Sequence, residues 1–140
     1  MNEILEGLSE SSRHKATRVE MPSWMDPMLA TLTDQRFSDD NWIFERKLDG
    51  QRCIAYKDGD SVKLKSRNQE VINAQYPELV DALEQQGEER FIVDGEIVAF
   101  EGNVTSFSRL QDRMHIEDPQ KIRQSGVDVY FYLFFGNTPR

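Results

Sequence analysis

Lys47 is followed by Leu48-Asp49-Gly50-Gln51-Arg52, and this is a spacing in which an amine nucleophile could be built. A lysine at the end of a partly buried strand, close to a fixed cation, is pushed toward its neutral form by desolvation and like-charge repulsion. The plain alternative is a solvated strand-end lysine. Asp94 and Glu96 share one pleat face with Ile92, Val98 and Phe100 in a segment otherwise fit for an interior. Buried carboxylates are costly unless paired or bound, so they require a partner: Arg52 or Arg109 as an ion pair, or else a metal or ligand. Lys63, Lys65 and Arg67 alternate with Val62, Leu64 and Ser66. Such a basic row can neutralise phosphates, and it is equally the usual guard of a solvated sheet edge. Tyr130, Tyr132 and Phe134 line one face of the last apolar segment, where they could stack on a nucleobase, although core packing is the ordinary use of such a row. His14, His115 and Cys53 lack ligand spacing and are assigned no chemistry.

These side chains need elements to hold them. The alternation predicts an antiparallel meander of strands at 42–47, 51–57 and 61–67, joined by turns at 48–50 and 58–60. Ile43, Glu45 and Lys47 would then face one way, and Trp42, Phe44 and Arg46 the other. Tyr76, Leu79, Val80 and Leu83 follow helical spacing, giving a helix over about 77–86 stopped by Gly87. A buried strand is expected at 91–100 with a turn at 101–103, then a helix over 105–114. A short helix is expected from the Asp118-Pro119 cap, and a last strand at 127–135. The fold class is α+β, with antiparallel sheets flanked by helices.

With 140 residues, 38% apolar and 30% charged, the composition is that of a folded single domain, neither disordered nor membrane-embedded. Lys and Arg number 17 against 25 Asp and Glu, a net charge of -8, so any DNA contact must be local. One cysteine excludes an internal disulfide framework, and no apolar run is long enough for a signal or spanning segment, which together point to the cytoplasm and away from a membrane. Residues 1–23 form a polar leader, 24–135 the domain and 136–140 a separate tail.

Glu45-Arg46-Lys47-Leu48-Asp49-Gly50-Gln51-Arg52 resembles motif I, K-x-D-G-x-R, of the covalent nucleotidyltransferases. Ser66-Arg67-Asn68 is similar to motif Ia, residues 91–96 to motif III and residues 129–134 to the start of motif IIIa, all in the family's order. Residues 106–113 after the Asp94-Gly95-Glu96 triplet resemble ATP-dependent DNA ligases, and Asp26-Pro27-Met28-Leu29-Ala30 resembles the bacterial and archaeal end-joining ligase module. The resemblance runs from about Trp24 to Phe134. It implies a partial nucleotidyltransferase (ATP-grasp-like) ligase fold using ATP and Mg²⁺. Lys47 would form a lysyl-AMP on the way to sealing nicks in double-stranded DNA during repair or recombination, alongside end-joining or repair proteins. By position, Glu45 would contact the adenine end, Arg52 and Arg67 the ribose and phosphates, Glu96 the ribose hydroxyl or the metal, and Phe134 the adenine ring. Asp49, Gly50 and Asp94 would support the motifs.

In the family an Asp follows the stacking aromatic of motif IIIa, whereas Phe134 precedes Phe135-Gly136-Asn137-Thr138-Pro139-Arg140. Motifs IV, V and VI have no counterpart. The expectation is an adenylation domain truncated after motif IIIa, unable to complete ligation alone. Two other readings stand beside it: a non-catalytic nucleotide- or DNA-binding remnant, and an RNA ligase or capping-type nucleotidyltransferase.

Overall fold

A computed structural model describes residues 9–15 and 19–134. A short helix α1, Glu10–Lys15, lies ahead of an irregular stretch over residues 19–50. The ordered part then runs β1 (Gln51–Asp58), β2 (Ser61–Ser66), a 3₁₀ turn (Asn73–Gln75), α2 (Pro77–Glu84), β3 (Arg90–Val98), β4 (Phe100–Glu101), β5 (Val104–Thr105), α3 (Phe107–Gln111), α4 (Pro119–Ser125) and β6 (Tyr130–Leu133). β2, β1, β3 and β6 form a four-stranded sheet in that order, every pairing antiparallel, and β4 pairs with β5 in a small hairpin. No helix among the described residues is long and apolar enough to cross a membrane.

The register explains which residues meet. Cys53 and Ala55 of β1 stand opposite Ser66 and Leu64 of β2 and opposite Gly95 and Val93 of β3. Their face forms the core with Tyr76, Leu79, Ile97, Leu110 and Val127, each large side chain contributing about 1.5–3 kcal/mol by leaving water. The opposite face carries Arg52 beside Glu96, Ile54 between Lys65 and Asp94, and Tyr56 between Lys63 and Ile92. The polar candidates therefore share one face because strand side chains alternate with period two.

Two helices start at side-chain caps, of which the sequence pointed to the one at Asp118. Asp118 accepts from the N–H groups of Gln120 and Lys121, with Pro119 opening α4, and Ser106 accepts from the N–H of Arg109 to begin α3. α3 is shorter than the expected 105–114, being one turn and a half between its cap and Asp112. The expected strand at 91–100 divides into β3 and β4 at Ala99.

The strand expected at 42–47 is absent. These residues are irregular and exposed, with Trp42, Ile43 and Phe44 at 62%, 83% and 65%. Alternation makes a strand only where a neighbour accepts the backbone hydrogen bonds, and no described strand pairs with this segment. Trp42 and Phe44 pack on Phe37 instead, with ring centroids 5.1 and 5.7 Å apart. The expected Glu45 and Lys47 face has no pleat to define it. The strand expected at 127–135 is reduced to β6, since Val127 and Val129 are buried as core residues ahead of it and Phe135 lies outside the described residues, as do 136–140.

Candidate nucleotide site

Gly50 enters β1 where only hydrogen fits: a Cβ there would run into the Ile97 carbonyl oxygen and Val98 Cγ1. Gly95 repeats the device one strand over, its absent Cβ leaving room for the Tyr132 carbonyl and the Phe131 ring. Asp49 fixes the approach to Gly50. Its N–H donates to Thr105 Oγ1 at 3.0 Å, and its Oδ2 accepts from the N–H of Phe107 at 3.1 Å, the first residue of α3. Asp49 thus ties the start of β1 to β5 and α3, while Gly50 packs it closely against β3.

Arg52, next but one along the chain, is the hub of the polar face. Its Nε and Nη2 both donate to the Asp94 carboxylate, and Nη2 also donates to the Met28 carbonyl at 3.0 Å. The Phe134 ring centroid lies 4.7 Å from its guanidinium carbon, and the Phe134 N–H donates to the Asp94 carbonyl at 2.8 Å. The partner expected for Asp94 is therefore Arg52. Arg109 turns away to the Gly126 carbonyl at 2.9 Å and to Asp112 at 3.7 Å. Donating to Asp94 raises the Arg52 guanidinium above its ordinary pKa.

Glu96 stands directly across from Arg52 and is half-buried. Burial raises its carboxyl above the usual range, while Arg52 and the Gly50 N–H draw it back down. Arg52, Glu96, Gly50 and Arg67 line one cleft of about 590 Å³, together with Leu29, Ser66, Asn68, Gln75 and His115 among others. That volume suits a small ligand. Of the candidates chosen from sequence, Arg52, Arg67, Glu96 and Gly50 thus come together, with Asp94 and Phe134 behind Arg52.

Glu45 and Lys47 are not part of the cleft lining; both are exposed on the irregular segment just before it. The basic row is also divided. Lys65 Nζ donates to the Ser23 carbonyl at 2.6 Å and lies over the rings of Tyr56 and Trp24 at 5.2 and 6.0 Å, so it anchors the polypeptide ahead of β1. Arg67 keeps its place at the cleft. The aromatic row does not form core: Tyr130, Tyr132 and Phe134 are 49%, 44% and 38% exposed, and Phe131 on the other pleat face packs inward. Tyr130 and Tyr132 lean on Phe100, at 5.4 and 6.3 Å.

Sequence reasoning passed over His115 and Gln75 as cleft residues, because segments distant in sequence bring them there, whereas Asn68 arrives beside Arg67 in the motif that named it. Leu29 and Met28 carried a signal within 26–30 but not its meaning. Cys53 is fully buried in the core and its thiol is pushed up to about 12 by desolvation. No group of three or more His, Cys, Asp or Glu able to hold a metal exists among the described residues.

An antiparallel α+β frame carries a cleft lined by Gly50, Arg67, Glu96 and an Arg52 that is paired with Asp94. The chain belongs to the ATP dependent DNA ligase domain family, whose pattern matches residues 27–135. It is 40% identical over 72 residues to DNA ligase C of Mycobacterium tuberculosis, covering 51% of this chain and 20% of that protein. It is 36% identical over 109 residues to a DNA ligase of Sulfophobococcus zilligii, covering 71% of this chain and 17% of that one. The ligase domain of M. tuberculosis LigD superposes with a TM-score of 0.51 at 30% identity, over 64% of this chain and 27% of that one. A mycobacterial DNA ligase D complexed with ATP and MES superposes with a TM-score of 0.52. The chain thus spans a fifth or less of the length of these two curated relatives.

Proposed function

We propose that this chain is the nucleotide-binding part of an ATP-dependent DNA ligase adenylation domain, with Lys47 as the residue that carries AMP. The observation that supports this best is the single cleft shared by Gly50, Arg52, Arg67 and Glu96, entered directly from the Lys47-Leu48-Asp49-Gly50 segment. In the first step the Lys47 amine attacks the α-phosphorus of ATP. A P–N bond forms as the ammonium's excess protons pass to solvent, the P–O bond to the leaving group breaks, and pyrophosphate departs with that electron pair. In the whole enzyme AMP would pass to the 5′-phosphate at a nick in double-stranded DNA. Attack by the 3′-hydroxyl would then seal the strand and release AMP.

Arg52, oriented by Asp94, and Arg67 offer fixed cations to the phosphates. Phe134, already stacked on the Arg52 guanidinium, offers a flat face to adenine. Glu96 takes the ribose hydroxyl, and Glu45 reaches the adenine end when the 42–47 segment closes on the cleft. Mg²⁺ commonly binds through one carboxylate with phosphate oxygens and water, and Glu96 suits that pattern. When bound, the ion supplies charge neutralisation at the phosphates. Partners are nicked DNA and end-joining or repair proteins, in the cytoplasm.

Incubation with ATP and Mg²⁺ followed by intact mass measurement tests the reading. One adenylyl group per chain, lost in Lys47→Ala with the fold retained, is expected. No adduct on the folded chain, or an adduct that survives in Lys47→Ala, overturns it. The exposure of Glu45 and Lys47 outside the cleft favours a second reading, a non-catalytic nucleotide- or DNA-binding remnant. Salt-dependent nick binding without adenylylation would select that one.

A further inference from the structure

The segment leading to Leu29 has no regular structure, yet it is fastened to the main sheet at three points. Lys65 Nζ donates to the Ser23 carbonyl at 2.6 Å, the Met25 N–H donates to the Tyr56 hydroxyl at 2.9 Å, and Arg52 Nη2 donates to the Met28 carbonyl at 3.0 Å. Arg52, Tyr56 and Lys65 all stand on the polar pleat face, so residues 23–28 cross that face and run opposite to β1. Ile54, between Arg52 and Tyr56 on the same face, is 2% exposed, and Tyr56 itself is 6% exposed. Trp24 adds a side-chain grip: its Nε1 donates to Asp26 Oδ1 at 2.7 Å, and Lys65 Nζ lies 6.0 Å from its ring. Pro27 fixes its own φ and disfavours helical geometry at Asp26, which makes a short and stiff link from the anchored part to Met28.

The far end of this segment decides what Arg52 can offer. A guanidinium carries one N–H at Nε and two at each Nη. Asp94 takes the Nε proton and one from Nη2, and Met28 takes the other Nη2 proton. No described residue accepts from Nη1, so its protons remain for a ligand in the cleft that Arg52 lines. Leu29, the next residue along, lines the same cleft. We propose that residues 23–29 are a positioning strap for the nucleotide site: anchored by Lys65 and Tyr56, the strap locks the Asp94 side of Arg52, leaves Nη1 to meet phosphate oxygens, and sets Leu29 as an apolar wall of the cleft. This rests on the reading of the cleft as an ATP site. Strap and ligand then stabilise each other, since both restrict the same guanidinium, and linkage makes that coupling reciprocal.

Tyr56→Phe tests this, because it removes the acceptor of the Met25 N–H, keeps the ring, and lies outside the cleft lining. ATP affinity by calorimetry is expected to fall about fivefold, the worth of one hydrogen bond, in a variant shown to be folded by its urea transition. Lys65→Ala, which releases Ser23, is expected to act in the same direction. Two readouts separate positioning from general weakening. By NMR without ligand, exchange at the Met25 amide and the Arg52 Nε–H is expected to quicken in Tyr56→Phe by more than at core amides such as Ile97, and saturating ATP is expected to slow the Met25 amide of the unaltered chain. In a double-variant cycle, Tyr56→Phe is expected to cost little further ATP affinity once Arg52→Lys has removed the guanidinium fork. Unchanged ATP affinity in Tyr56→Phe, additive losses with Arg52→Lys, or a Met25 amide indifferent to ATP would each overturn the strap. An unaltered chain that binds no ATP would instead overturn the ATP reading, and the strap's hold on Arg52 then stands or falls on the Nε–H exchange.

Discussion

Arg52 is where the molecule concentrates its polar interactions, and Glu96 shows what that arrangement costs. Glu96 sits half out of water with its carboxyl raised by burial, so the folded chain holds a proton that the unfolded chain has already released. Its folded pKa lies above the unfolded value. Ionising Glu96 therefore opposes folding, and stability falls as pH rises from the ordinary carboxylate range through the raised one. Glu96→Gln is expected to raise the urea midpoint at pH 7, to flatten the pH dependence of that midpoint across and just above the ordinary carboxylate range, and to weaken ATP binding measured by calorimetry. A midpoint that falls on substitution would show that the Arg52 attraction outweighs burial. Asp94 plays the opposite part. Asp94→Ala leaves the guanidinium without the acceptor of two of its hydrogen bonds, and is expected to cost about 1–3 kcal/mol in chemical denaturation as well as ATP affinity, whereas Asp94→Asn is expected to retain part of both.

At the level of elements, Lys57 links β1 to α2 in a way its sequence position does not disclose. It is 4% exposed, and its ammonium donates to the carbonyl oxygens of Glu84 and Gln86 at the C-terminal end of that helix, at 2.9 and 2.5 Å. A cation there satisfies carbonyls that a helix end leaves open and meets the negative end of its dipole. Lys57→Met keeps the stem and removes the donor, and is expected to destabilise by about 2 kcal/mol in chemical denaturation, with the loss of amide protection greatest in α2. The hairpin of β1 and β2, the helix after Pro77, the strand carrying Asp94 and Glu96 and the Asp118 cap could all be read from the sequence, because each rests on local periodicity or a cap. The meander strand at 42–47 could not, because a strand exists only with a partner, and alternation says nothing of whether one is present. The cleft was legible in its motif residues Arg52, Arg67 and Glu96. Leu29, Gln75 and His115 reach it through loops, and nothing in their spacing records that.

Across the whole molecule, charge is segregated. The chain carries -8 overall, yet Lys63 and Arg67 are exposed on the β2 side, while Asp81, Glu84, Glu88 and Glu89 lie on and after α2. A nucleic acid approaching this molecule must therefore meet it through a small basic area against a repulsive background. Few phosphates would be neutralised, so binding to nicked duplex is expected to be weak and its salt slope shallow, about -2 to -3 in log–log form if two or three phosphates are contacted. The division of the basic row gives a sharper expectation. Lys63→Ala and Arg67→Ala should each reduce the magnitude of that slope by about 1 with the fold unchanged. Lys65→Ala should leave the slope alone and instead loosen residues 23–28, because its ammonium is spent on the Ser23 carbonyl and the rings of Trp24 and Tyr56. Fluorescence anisotropy on nicked DNA across a salt series, with Trp24 emission recorded in parallel, measures both. A Lys65→Ala variant that loses slope while Trp24 emission stays constant would mean that Lys65 leaves its anchor to bind phosphate, and the basic row would then act as one surface of three cations.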